Sequence, residues 1–501
     1  MDENGYDVIV IGSGIGGLTA ALELSGRGKK VLVLEQHYLL GGACTTYTRK
    51  GGYQFDAGVE SISGLGDRGP VRHLLQNHNL DSRIVWLRNS YEYRHADKSF
   101  IIPDRWEAWG EQLMEQYPDH AADVQRFFTD CRLAFEETYQ AFAPDRLTPY
   151  LPKTQEDFRQ YPVRYAHLYP WLGRTWGQYL DAYLQSDEIK HQLSFLTTYV
   201  GDQGRDTPAQ VMFALMGYFI DGGYRAQGGS GVLAEALVDK IREYGGEVKP
   251  RTDVKSIRVK LGKVIGVETV KGVLYRAPVV ISNVDPRMTY EQLLDRSDVP
   301  DSVWGNVEAL RPSMSLIVWT AALSRPFCSD RLTSVHGVKP HHLPLNDMIV
   351  EGYGYHSSAA KDPGLAPKDA GNVTINLRAK ANAGKYAAMS PEQYAACKQE
   401  LDEYCRGLLA AIDPVAAQHL VFSEVATPKS IHYYMRTYEG SIYSTVRDKQ
   451  SGFPNYRTHI QGLYLTGAGV GYGPGIEAVV ISGAETAELV YEALEEKHAV
   501  K

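Results

Sequence analysis

Three glycines spaced as Gly12-x-Gly14-x-x-Gly17, followed by a lone acid at Glu35, have the types and the spacing to do chemistry together. That chemistry is the holding of a pyrophosphate and a ribose. Gly12 permits a tight turn, Gly14 lets the backbone come close to a phosphate, and Gly17 lets a helix pack closely on a strand. A helix opening here turns free N–H groups and a positive dipole end toward the phosphates, and a carboxylate about 20 residues further on accepts hydrogen bonds from the ribose. Ser13 and Gly16 complete the loop, and Gln36 follows the acid.

A glycine triplet alone is a weak signal, so the elements around it decide. Val8-Ile9-Val10-Ile11 reads as a buried parallel strand running into the triplet, Leu18 to Leu24 as the helix after it, and Val31 to Leu34 as a second strand ending at Glu35. Strand, glycine turn, helix, strand and acid, in that order, make a dinucleotide-binding unit. Gly41 and Gly42, with Ala43 and Cys44, come next, and then an alternating stretch through Phe55-Asp56-Ala57-Gly58-Val59-Glu60. Glycine-rich signals return at 227–231, ahead of a helix over 232–244 and a strand pair over 247–270. They return again at Gly467-Ala468-Gly469 and Gly473-Pro474-Gly475-Ile476, ahead of a last helix. Between them, 91–220 reads as mainly helical, with patterns at 106–117, 121–143 and 175–184. Residues 290–449 mix strands at 315–322 and 373–377 with a helix at 391–412.

From Glu35-Gln36-His37 through Gly41-Gly42-x-Cys44 to Phe55-Asp56-x-Gly58, the sequence resembles the flavoprotein family of phytoene desaturases, carotenoid isomerases and retinol saturases. It is most similar to the isomerase and saturase branch. The resemblance implies an α/β fold: a Rossmann-like, glutathione-reductase-like FAD-binding domain with an inserted α+β substrate domain. With the composition shifts, it divides the chain into a discontinuous FAD domain (1–90, 225–290 and 450–501) and a substrate-binding lobe (91–224 and 291–449). It places Gly41, Gly42 and Ala43 against the cofactor, Gly58 and Val59 nearer the flavin ring, and Val254 where backbone reads the adenine. Gly467, Ala468, Gly475 and Ile476 then fall at the pyrimidine end, where the dipole of the last helix would stabilise reduced flavin. Many relatives carry Gly-Asp where this chain has Gly467-Ala468; Ala is common there in phytoene desaturases. FAD is expected to bind noncovalently, with Cys44 as a small packed thiol.

A chain of 501 residues exceeds one simple core. Net charge of −8 and the lack of a basic patch argue against a nucleic-acid partner. Five scattered cysteines without C-x-x-C argue against a disulfide framework, a dithiol centre or a zinc site, and no metal is expected. The acidic N-terminal residues lead straight into the first strand, and no apolar run reaches the ~18 residues of a membrane span. The expectation is a cytoplasmic protein, with peripheral membrane contact left open.

No second strand-turn-helix unit is present for a nicotinamide cofactor, so electrons must pass between the flavin and a diffusing acceptor or donor such as oxygen, a quinone or a reductant. The function expected is a flavin-dependent oxidoreductase acting on carbon-carbon double bonds of a lipophilic polyene or isoprenoid such as a carotenoid, by desaturation, saturation or cis-trans isomerisation. An amine oxidase-like enzyme is the runner-up. A non-catalytic prenyl or lipid carrier, resembling the GDP-dissociation inhibitors, is a third reading. Weak candidates for proton or charge work are Asp202, Arg205, Tyr434, His341, His342 and Glu351, each of which also has an ordinary surface reading. The substrate is expected where the two insertions meet over the flavin, with Phe195, Phe213 and Tyr218 on one wall and Trp319 and Tyr434 on the other.

Overall fold

The computed structural model describes residues 5–95, 98–140, 154–200, 204–446 and 454–499. A five-stranded parallel sheet places Val8–Ile11 between Val31–Leu34 and Val280–Ser282, with Glu247–Lys249 and Leu463–Leu465 at its edges. The three inner strands are buried along their whole length and, but for Ser282, apolar, as parallel strands covered on both faces must be. Alternation divides them cleanly. Val8, Val10, Val31 and Val33 pack under the helices Ile15–Gly26, Gly231–Glu243 and Ile476–Ala499, while Ile9, Ile11, Leu32 and Leu34 face a three-stranded antiparallel sheet over 254–276.

Strand order sets the position of the cleft. From Val8–Ile11 the chain steps outward through Val31–Leu34 to Glu247–Lys249, then returns to the other side with Val280–Ser282 and Leu463–Leu465. The reversal falls between Val8–Ile11 and Val280–Ser282, and a crevice opens beyond their carboxyl ends, at Gly12 and Asn283.

A seven-stranded sheet stands over that crevice: Leu420–Ala426, Ser315–Leu323, Gly371–Ala379, Met348–His356, Leu332–Leu343, Tyr91–His95 and Lys98–Ile101. Helix Pro391–Ile412 covers its outer face through Leu401, Cys405 and Leu409, packed with Ile317, Trp319, Ile375 and Leu377. Five helices, Trp106–Gln116, Ala121–Gln140, Trp176–Tyr183, Asp187–Ser194 and Ala209–Asp221, form a separate aromatic-rich core. The expected helical stretch from 91 onward begins instead with two strands. Tyr91 and Tyr93 alternate inward and pair Tyr91–His95 in parallel with Leu332–Leu343, so this part of the first insertion belongs to the sheet of the second.

Candidate active site

The loop after Val8–Ile11 is built by close approach. A Cβ on Gly17 would stand 2.5 Å from the Gly12 carbonyl oxygen, and one on Gly16 would stand 2.8 Å from the Gly467 Cα. Only glycine lets the N-terminal and C-terminal loops touch here. Glu35 organises the cradle. Its Oε2 accepts from the Ser13 backbone N–H at 2.8 Å and the Ser13 hydroxyl at 2.7 Å, and its Oε1 accepts from the His37 N–H at 2.8 Å. Ser13 Oγ in turn accepts from the Gly41 N–H, joining the Gly41-Gly42 turn to the glycine loop. Asn283, unnoticed as a contact in the sequence, lies across this loop: its amide nitrogen would be 2.5 Å from a Cβ on Gly14.

Around the acid, Gln36 Nε2 donates to the Tyr434 carbonyl, and Arg436 donates to Gln36 Oε1 and Asp253 Oδ2. Val254 follows, buried at the start of its strand. Ala43, Gly58 and Val59 line the same cleft, as do Gly467, Ala468, Gly475 and Ile476. At the start of Ile476–Ala499 the first N–H groups have no partner within the helix and face the cleft. Gly475, at φ +100°, leaves open space where a side chain would stand.

The cleft opens into a single cavity of about 2110 Å³ that reaches between the helical part and the seven-stranded sheet. Sites for one small molecule run to roughly 1,000 Å³, so this one has room for a dinucleotide and a second ligand. Leu168, Leu172, Val211, Ala214, Leu215 and Tyr218 line one wall. Register puts Leu316, Val318 and Thr320 on the facing sheet surface, opposite Arg378, Asn376 and Thr374, with Gly354 and His356 beside them.

Several expected wall residues face elsewhere. Trp319 is one position out of phase: it points into the outer core and donates from Nε1 to Asp402. Phe213 packs on Tyr179 and Trp176 inside the helical core, while its neighbours Ala214 and Leu215 meet the cavity. Tyr218 does line it. Tyr434 also lines the cavity, edge-on to His37 at the Glu35 end, and is 55% exposed. Arg205 holds Asp181 and the Gly177 carbonyl on the helical surface. His341 stacks on Tyr404 outside the cavity, His342 is exposed nearby, and Glu351 is an exposed residue at the cavity margin. Asp202 and the Phe195 side chain lie outside the described residues. Among the described residues no cluster of His, Cys, Asp or Glu could hold a metal ion.

Residues 15–491 match the family described as Flavin containing amine oxidoreductase. The chain belongs to that family. Among curated relatives, Prolycopene isomerase 1, chloroplastic, of an Oncidium hybrid cultivar is 26% identical over 506 residues, covering 97% of this chain and 84% of its own. All-trans-retinol 13,14-reductase of Danio rerio is 24% identical over 92% of this chain and 82% of its own. Phytoene desaturase (neurosporene-forming) of Rhodobacter capsulatus is 25% identical over 97% and 94%. An oxidoreductase of known structure from Methanosarcina mazei superposes with a TM-score of 0.64 at 19% identity, over 96% of this chain and 99% of its own, which shows the shared fold. The cofactor of this flavoprotein is FAD, and the cleft fits it: glycine turns, an anion-ready helix start and a carboxylate hub lie along one groove.

Glu477 is the titratable group at the helix end of that groove. Its carboxylate accepts from the Tyr139 hydroxyl, which ties the helical part to the last helix. Burial raises its pKa above the usual carboxylate range; the Tyr139 and Ser63 hydroxyls oppose the shift and Asp221 adds to it. A carboxyl raised on folding stabilises the fold fully below its unfolded pKa, and that contribution is lost as pH rises through the folded value. Glu477→Gln cannot ionise, so the variant is expected to gain in unfolding midpoint over the parent between pH 5 and pH 8. Parallel midpoint curves for the two proteins across that range would show that Glu477 does not carry this pH dependence.

Proposed function

We propose that the protein is an FAD-dependent oxidoreductase acting on carbon-carbon double bonds of a lipophilic polyene or isoprenoid such as a carotenoid. The observation that carries this is the continuity of the dinucleotide cleft with a mainly apolar cavity large enough for a second, extended ligand. FAD would lie with its diphosphate at 12–17, its ribose at Glu35, its adenine at Val254 and its ring between Gly58 and Gly475, held noncovalently. Bound there, it supplies the hydride acceptor or donor. The protein's own residues do the rest: Leu168, Leu172, Val211, Leu215, Leu316 and Val318 desolvate the chain of the substrate and hold it along the groove. The names of the relatives, an isomerase, a reductase and a desaturase of polyenes, support this substrate class.

Electrons would be exchanged with a diffusing partner such as oxygen, a quinone or a reductant. No helix among the described residues is long and apolar enough to cross a membrane. Peripheral membrane contact is part of this reading, since Phe158, Val163 and Tyr169 are exposed beside Leu168 and Leu172 of the cavity wall.

Anaerobic mixing tests the proposal. The purified protein is expected to be yellow, to release FAD on acid precipitation, and to show flavin bleaching with a polyene when oxidised, or reoxidation when reduced. A perturbed flavin band without net redox change would mark an isomerase. A colourless protein would favour a carrier, and bleaching by amines alone would favour an amine oxidase; either result overturns the polyene reading.

A further inference from the structure

Glu60 lies where the three parts of the molecule meet. It follows Gly58 by two residues, and its Oε1 accepts from Asn376 Nδ2 of the sheet. His356 Nδ1 of the neighbouring strand stands 3.1 Å from the same oxygen. Arg225 donates to the Glu60 backbone carbonyl at 3.4 Å. No donor among the described residues reaches Oε2, and the side chain, 25% accessible, opens onto the cavity. His356 is 5% exposed, lines the same cavity, and its Nδ1 has no aligned hydrogen-bond partner. Thr374 and Thr320 extend the polar surface on the same sheet face. Across the cavity the Tyr199 and Tyr218 hydroxyls continue it, linked through Tyr91 to Ser61 at 2.6–3.4 Å.

We propose that Glu60 and His356 form a polar subsite for a neutral oxygen function, so that the natural substrate is an oxygenated polyene or isoprenoid, such as an alcohol, and not a hydrocarbon. This rests on the reading given under Proposed function and narrows it. Burial works to raise the Glu60 pKa, but the His356 imidazole, the Arg225 guanidinium and the Asn376 amide outweigh it and hold the carboxyl ionised. A hydrocarbon laid over this patch would strip water from a charge and an imidazole and return no hydrogen bond. A hydroxyl donates to the free Oε2 and accepts from the imidazole N–H. An ammonium is the poorer match, because the Arg225 guanidinium, paired with Asp56 and bonded to the Glu60 backbone carbonyl, already sets positive charge beside this carboxylate. Sites built to bond a hydroxyl discriminate strongly against analogues that lack it.

The test is equilibrium binding to the FAD-loaded protein, read from flavin absorbance and fluorescence without turnover. The probes are geranylgeraniol and the hydrocarbon in which a methyl group replaces its CH2OH. The alcohol is expected to bind at least about tenfold tighter, in line with one hydrogen bond to a charged group. Glu60→Gln and His356→Phe, with flavin loading intact, are expected to shrink that ratio while leaving hydrocarbon affinity equal or better. Equal affinities in the parent protein, or an undiminished ratio in both variants, would overturn the subsite while leaving the polyene reading standing. A protein that responds to neither probe and binds a primary amine would overturn both.

Discussion

Replacing Arg225 with alanine is expected to lower the unfolding free energy by about 3–5 kcal/mol, the range for breaking one side of a buried ion pair. Arg225 and Asp56 pair with side chains only 3% and 2% accessible. The other Asp56 oxygen is already used, accepting from the Ser230 N–H at 2.8 Å and the Thr46 hydroxyl at 3.0 Å. Asp56 thus ties the loop before Gly231–Glu243 to the Gln54–Asp56 strand, and Arg225 supplies the compensating charge. Without it an ionised carboxylate is left in a site that water cannot reach. Urea unfolding at a fixed FAD concentration measures the loss, since bound FAD adds its own stabilisation. The double change Asp56→Asn with Arg225→Met is expected to cost less than Arg225→Ala alone, because no unpaired charge remains. A single-variant loss below about 1 kcal/mol would place the pair among weak surface-type interactions.

The glycine-lined cleft was legible in the sequence and most of the cavity walls were not, for a physical reason. Glycines at Gly12, Gly17 and Gly475 are needed by local backbone geometry, and such needs leave marks in the order of residues. The helix Pro391–Ile412 and the strands Ser315–Leu323 and Gly371–Ala379 were readable too, with the expected 391–412, 315–322 and 373–377 lying within them. Which side of an element meets the cavity is another matter. Ala209–Asp221 is buried on almost every side, so its periodicity cannot separate Phe213, in the helical core, from Leu215, on the cavity. Ser315–Leu323 lies between an outer helix and the cavity, and Trp319 falls on the helix side. Glu60 stood in a quoted motif, yet its partner Asn376 is 316 residues away, a distance over which spacing carries no information.

Those long-range contacts also change what the polar residues mean. Arg205, a candidate by residue type, pairs with Asp181 on the surface, and Tyr434 meets His37 edge-on at the cavity margin. Glu60 and His356 meet only because the seven-stranded sheet is folded over the crevice at the topological switch. In the proposed subsite Glu60 comes from the glycine-rich N-terminal part and His356 from the seven-stranded sheet, so the subsite would belong to neither part alone.

Glu35→Ala is expected to weaken FAD binding by about a hundredfold. A hydrogen bond from a ribose hydroxyl to a charged carboxylate is worth roughly 1.5–3 kcal/mol, and about 2.7 kcal/mol, near the upper end for one such bond, is about a hundredfold in affinity. The same carboxylate orders the cradle itself, because it fixes Ser13 by backbone and hydroxyl and thereby the Gly41 turn. Alanine therefore removes ligand contacts and leaves the Ser13 and His37 N–H groups without their acceptor, so some stability is lost together with affinity. Glu35→Gln keeps one acceptor oxygen and most of the shape, and is expected to fall between alanine and the parent. Ser13→Ala, which leaves the carboxylate in place, is expected to lose much less. Fluorescence titration of the FAD-free protein, with circular dichroism to confirm the fold, ranks the three. A change of less than threefold in Glu35→Ala would mean that Glu35 serves only to hold Ser13 and His37, and that the ribose is bound by other groups.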